Sequence, residues 1–416
     1  MANGFSKEER VAFEDVLEGF QDAMVEATQV AKFGTAETMM ERANDTIWRP
    51  QPYIMTSQDR VVGSAITFQD VEQRSVPATI GYQKNVPWKM DALELRDALQ
   101  EGRLGDAAKQ RLSSDVNTSV RDVAALQGTL VVAVSGAAGT YDDIALAEAV
   151  MDEQGMMPGD RSLMLNPRDH TGMASNLAGR ANMDGKPSTA YERSYVGQVA
   201  NFDTFKTGGG KTITAAGGSG ITIATNGTQV QYAPAARSGG ANVDNRTQQV
   251  TVSATTGVTA GDAFTIAGIN AVHHITKEDT AQPKTFRVIS VDSGTTMTIS
   301  PPIVGANDTP ADAELAYKNV EVVSTSATAA ITFLNTTTAL ANPFWARESI
   351  EILPAGYAML DGAGLDIMKG TTDQGIELVM TKSMSNTLVA EYTLDARWGV
   401  VNTNPEMNGI ILFGQS

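Results

Sequence analysis

At 416 residues with 42% apolar side chains, the chain can form about two to four domains with cores of their own. A net charge of −17 excludes a sequence-reading nucleic-acid binder, which needs a basic footprint, and the lack of cysteine excludes disulfide frameworks and thiol catalysis. No apolar run approaches the ~20 residues of a membrane helix, and the N-terminus carries no apolar signal core, so no membrane role or secretion is expected.

Taken in order, residues 8–32 predict an amphipathic helix. Phe13, Val16, Leu17, Phe20, Met24 and Ala27 form an apolar stripe opposite Glu14, Asp15, Glu18 and Asp22. Ser6 with Glu9 reads as a capping box and Gly34 as a stop. Such a helix packs on its own domain or serves as an arm that reaches a neighbour or a basic partner. Pro50 and Pro52 force extended backbone, and residues 53–82 read as a long hairpin turning at Val61-Val62-Gly63. With few strong apolar positions, that hairpin needs a partner surface. A helical tract follows from Asp91 to Gln127, broken by Gly102 and Gly105. Its continuous part has a stripe of Leu112, Val116, Val120 and Val123 over ~33 Å. Residues 130–134 read as a buried strand, 141–155 as a helix and 162–167 as a strand ending in a turn. Residues 168–205 read as loop and helix.

From Lys206 to Ala341 the text changes. Short β-branched runs (222–225, 249–255, 263–267, 287–291, 296–300) alternate with turn residues such as Asn226-Gly227 and Gly261-Asp262. All four tryptophans lie outside this stretch. It predicts a small all-β domain, sandwich or barrel, inserted into a body of helices and strands. The body resumes at Asn342, with strands at 349–353 and 375–380; residues 387–398 and 409–413 close its sheet.

No catalytic set emerges. Gly210-Lys211-Thr212 lacks the first glycine of a phosphate loop, and Gly185-Lys186 fails at both ends. His273 and His274 are adjacent, so a strand points them to opposite faces and they cannot chelate one metal together. His170 reads as a loop histidine with satisfied hydrogen bonds. Asp142 and Asp143 read as helix N-terminal charges. The chain is therefore read as a structural protein, not an enzyme, with no cofactor and no metal.

Ordered stretches carry a family resemblance. They are Asn44–Pro50 (NDTIWRP), Leu165–Asp169 (LNPRD), Gln198–Asp203 (QVANFD), Asn242–Arg246 (NVDNR), Thr251–Gly257 (TVSATTG), Asn342–Ala346 (NPFWA) and Trp398–Asn402 (WGVVN). The chain resembles the major capsid (coat) protein of short-tailed Salmonella-type phages, the Lederbergvirus type. The resemblance implies an α+β Hong Kong 97-type fold: N-terminal arm 1–43, E-loop hairpin 44–82, P-domain with spine helix 83–129 and 396–416, and A-domain 130–205 and 342–395. The β-rich insertion domain is 206–341. It further implies hexamers and pentamers in an icosahedral head that packages double-stranded DNA without reading its sequence, assembled in the host bacterial cytoplasm with scaffolding and portal proteins. An insertion-domain loop carrying Arg237, Asp244, Asn245 and Arg246 would meet its own copy at a local two-fold, and Glu14, Asp15 and Glu18 on the arm would contact the scaffolding protein. The alternative is a carbohydrate-binding or adhesive surface module. It would need an aromatic platform, and the insert offers only Tyr232, Phe264, Phe286, Tyr317 and Phe333.

Overall fold

The computed structural model describes residues 7–33, 46–66, 68–91, 98–178, 193, 196–224, 231–305, 311–322, 328–357, 366–384 and 389–416. These residues fall into two compact units, one from 1–47, 78–121 and 350–401, the other from 48–77, 122–349 and 402–416. Ser6, Gly34, Asn44 and Asp45 lie outside the described residues.

In the first unit, Ile350–Pro354, Val389–Asn402, Glu377–Met384 and Asp366–Thr371 make an antiparallel-rich sheet, with Ala31–Lys32 at one edge and Tyr82–Asp91 paired along Val389–Asn402. Stacked Trp88–Tyr392 and Tyr82–Trp398 rings add cross-strand contact. The N-terminal helix runs Lys7–Ala23 and ends at Met24, whose backbone leaves helical geometry. A short turn of helix and an edge strand follow, so the expected single helix to residue 32 is divided. Its apolar face is buried within this unit at Phe13, Phe20, Met24 and Ala27, while Glu14, Asp15 and Glu18 are exposed.

The long helix Ala98–Gln127 passes through Gly102 and Gly105 without a break. Glycine costs about 1 kcal/mol in a helix interior, yet here it permits close approach. A Cβ at Gly105 would lie 3.2 Å from Val16 Cγ2, and one at Gly19 would meet Lys109 Nζ at 2.6 Å. At Gly105 the helix packed against it, not any local signal, accounts for the glycine. Asn117 donates to Ala23 O, the Trp398 indole N–H donates to Ser119 Oγ, and Arg121 pairs with Glu26.

In the second unit a six-stranded mixed sheet is ordered Leu130–Ala133, Asn408–Leu412, Asn342–Ala346, Arg161–Leu165, Phe202–Lys206, Gln198–Val199. Its apolar core packs against the helix Tyr141–Glu153, where the Asp143 carboxylate accepts from Thr140 N as an N-terminal cap. Strand pairing departs from the expected partition. The strands within 350–395 share a sheet with 82–91, which pairs along 389–398, instead of joining the 130–205 sheet, and Asn408–Leu412 joins Leu130–Ala133. Burial periodicity identifies strands, but parity within a strand does not say which sheet receives it. Within the stretch expected to hold loop and helix, Pro167–Ala178 is helical, begun by proline at its first position and by Asn166, whose side chain accepts from Asp169 N.

The insert is a closed barrel. Thr222–Ile223, Ala329–Phe333, Ala263–Val272, Asp279–Val291, Thr296–Ser300 and Gln248–Thr251 follow one another by hydrogen bonding. The circuit closes where Ile223 bridges Val252 and Ser253 N donates to Thr222 O at 2.9 Å. Closure removes the free sheet edges. The interior is filled by Ile223, Val250, Phe264, Ile266, Phe286, Val288, Met297, Ile299 and Ile331, the inward phase of the predicted alternation.

Candidate assembly surfaces

Residues 237–242 form an exposed hairpin on the insert. Arg237–Ser238 pairs with Ala241–Asn242, and Gly239 and Gly240 both hold positive φ (58° and 87°) as a two-residue turn of the right hand requires. A Cβ at either glycine would meet nothing within 4 Å, so backbone conformation and not space selects glycine there. Beneath the hairpin, Asn245 is fully buried and acts as a peg. Its amide donates to Ala235 O and Val243 O, and its Oδ1 accepts from Tyr232 Oη and Ala235 N.

The structure gathers the four expected contact residues on this loop, buries Asn245 and pairs Asp244 with Arg246. Asp244 takes both nitrogens of a fork from Arg246, at 2.9 and 2.8 Å, and Arg246 also donates to Asn402 O. Within one chain Asp244 and Arg246 already neutralise each other, and the buried Asn245 side chain is used up by its own loop. Arg237 alone stands exposed at the hairpin, with Nε 3.3 Å from Asn242 Oδ1. Sequence reasoning saw alternating charges and had no means to know that a two-residue spacing would close on itself.

The second surface is the long loop from Gln51 to Arg74. The expected strands are absent from the described part of 51–74. Thr46–Pro50 pairs with Ser75–Thr79 at the base, Gln51 N donates to Arg74 O at 2.9 Å just past it, and further out the described residues hold a turn, Ser64 N to Val61 O. Val62 is 95% exposed and Phe68 89%, with Met55, Val61, Ile66 and Val71 also well exposed. Scattered exposed apolar residues are ordinary, but a concentration in one loop marks a surface meant for cover. The loop's root is tied down: Arg74 donates to Asn245 O, Ala236 N to the Glu72 carboxylate, and Tyr317 Oη to Glu72 O.

The third feature escaped the sequence reading. Lys284, 1% exposed, donates to Glu406 Oε1 at 2.7 Å and to Gln154 Oε1 at 2.9 Å, and Asn319 also donates to Glu406. This ties a barrel strand to the turn before the last strand and to the end of the helix 141–153. Burial alone would raise the Glu406 carboxyl, but Lys284, His274 and Arg74 hold it down to about 2. Burial presses His274 down to about 4 despite Glu406, whose Oε1 lies 3.9 Å from His274 Nε2. Lys277 is pushed down to about 8 by burial, against the pull of Glu406. The signal was present in the sequence: Lys284 shares its phase with Phe286 and Val288, so a lysine sits on the inward face of a strand. His170 lies in a helix, buried, with Nδ1 lacking a hydrogen-bond partner. Burial, with Lys206 nearby, keeps it below the usual imidazole range.

Among the described residues no group of three or more His, Cys, Asp or Glu could hold a metal ion, and no helix is long and apolar enough to cross a membrane. The profile of the P22 coat protein family (P22 coat protein, gene protein 5) matches residues 1–414, and the chain belongs to that family of bacteriophage coat proteins. Among solved structures, the capsid of cyanophage P-SCSP1u is 10% identical over 93% of this chain and 86% of its own, with a TM-score of 0.43. A structure from Mycobacterium phage Che8 is 8% identical over 93% and 90%, with a TM-score of 0.44. The CUS-3 coat protein I-domain is 46% identical over 28% of this chain and 95% of its own, with a TM-score of 0.22.

Proposed function

We propose that this coat protein is the major capsid subunit of a short-tailed phage of the Lederbergvirus type. It builds an icosahedral head of hexamers and pentamers that holds double-stranded DNA without sequence-specific contacts, in the Hong Kong 97 manner. Family membership across residues 1–414 carries the reading. The exposed apolar loop supports it, because an uncovered patch of that size is stabilised by burial against another copy. In this reading 1–43 is the arm, 44–82 the E-loop and 206–341 the insertion domain, and the particle forms in the host cytoplasm with scaffolding and portal proteins. The insertion-domain hairpin meets its own copy through Arg237 and backbone groups, with Asp244, Asn245 and Arg246 holding the loop's shape behind it. A two-fold contact is self-complementary, so the exposed hairpin faces itself.

The acidic face Glu14, Asp15 and Glu18 is exposed on the N-terminal helix and suits a basic scaffolding segment. Reversing all three to lysine leaves the subunit folded, as read by circular dichroism, and abolishes binding to scaffolding protein; normal binding overturns that assignment. For the function as a whole, electron microscopy of the purified protein, alone and with scaffolding protein, should show closed isometric shells. A persistent monomer or small oligomer in both samples would contradict it.

A further inference from the structure

Beside the Lys284–Glu406 cluster, within the second unit, lies a cavity of about 350 Å³. This is inside the range of small-molecule sites, roughly 300–1,000 Å³. Ile54, Met156, Pro302, Tyr317 and Met407 supply apolar wall, and Met157, 84% exposed, also lines it.

Its polar groups are unevenly satisfied. Glu406 is neutralised by Lys284 and Arg246 by Asp244, and Glu348 is exposed to water. Arg74 is different. It is 8% exposed, its guanidinium donates to the neutral Asn245 carbonyl and lies 5.0 Å over the Tyr317 ring, and among the described residues no carboxylate pairs with it. Its Nε has no hydrogen-bond partner, and neither has the buried Nε2 of His274, which also lines the cavity. Burying a guanidinium without a counter-ion costs several kcal/mol unless something else supplies the negative charge. Burial lowers Arg74 from the usual arginine range, and the longer-range pull of Glu406, whose carboxylate Lys284 already bonds, and of Asp244 works against that lowering without reversing it.

We propose that this cavity binds a small organic carboxylate, its acid group facing Arg74 and His274 and its aryl or short acyl body against the methionine, proline and tyrosine wall. A carboxylate supplies both the missing charge and the missing acceptors, and a planar acid suits the guanidinium fork. An inorganic anion would leave the apolar wall wet, and a neutral apolar molecule would leave Arg74 uncompensated.

The test is isothermal titration of the purified full-length subunit with 4-phenylbutyrate, set beside 4-phenylbutan-1-ol, which keeps the body and lacks the acid. The expected result is saturable binding at one site per chain, at least tenfold weaker for the alcohol. Met157→Trp, at a position exposed enough to leave the core intact, should fill the cavity and weaken binding by at least tenfold. Arg74→Gln, checked for its fold by circular dichroism, should do the same. The absence of saturable binding at millimolar ligand, equal affinity for the acid and the alcohol, or unchanged affinity in Met157→Trp would each overturn the proposal.

Discussion

The inserted barrel and the loop 51–74 belong to the same compact unit, yet they manage apolar surface in opposite ways. The barrel turns Phe264, Phe286, Val288 and Ile299 inward to full burial and closes its own edges. The loop leaves Val62 and Phe68 almost bare. At about 25 cal/mol per Å² buried, the barrel gains its stability from within the chain, whereas the loop gains none until another surface arrives. One chain thus holds a region that is finished on folding and one that is finished on assembly.

The sharpest way to break the finished region is to remove one charge from its buried lock. Lys284→Met strands the Glu406 carboxylate and should cost about 3–5 kcal/mol in urea unfolding. The double variant Lys284→Met with Glu406→Gln should recover much of that loss, because the penalty belongs to the unpaired charge. Phe286→Ala should cost a similar ~3–5 kcal/mol by opening a cavity in the barrel core.

Acid is the next lever. His274 titrates at about 4 in the fold and at 6.5 unfolded, so below pH 6.5 the unfolded chain binds the extra proton and stability falls until pH 4. Glu406, with its folded value at about 2, adds a further loss as pH falls from 4.5 towards 2. The His274 share is on the order of 3 kcal/mol. A His274→Phe variant should flatten thermal stability between pH 6.5 and 4, and an unchanged slope would remove His274 as the cause.

The smallest expected effect on folding comes from the unfinished region. Val62→Ser with Phe68→Ser should change subunit stability by no more than about 0.5 kcal/mol, since both side chains already face water. The same pair should sharply reduce shell yield. A large loss of subunit stability would mean that the loop is covered within its own chain.

The sequence disclosed the regions that obey local rules. The inward alternation of the barrel strands and the stripe Phe13–Phe20–Met24 are burial patterns written in spacing alone, and both match the observed burial. Where long-range packing decides, the reading diverged. Gly102 and Gly105 look like helix breakers until Val16 is seen against Gly105. The hairpin expected over 53–82 rested on extended backbone after Pro50 and Pro52 and a turn at Val61-Val62-Gly63, but no ladder forms in the described part of 51–74. On the insertion loop the spacing Asp244–Arg246 was visible, whereas the closure of that pair upon itself was not. Lys284 was the plainest missed signal, a charge on an inward strand position whose partner Glu406 lies far along the chain.

The most direct test of a division between finished and unfinished regions is hydrogen–deuterium exchange, read by mass spectrometry on free subunits and on assembled shells. The barrel strands 263–272 and 279–291 should be strongly protected in both. Peptides from 53–71 should exchange rapidly in the free subunit and become protected in the shell. Equal protection of that loop in both states, or rapid exchange in the shell, would contradict the account.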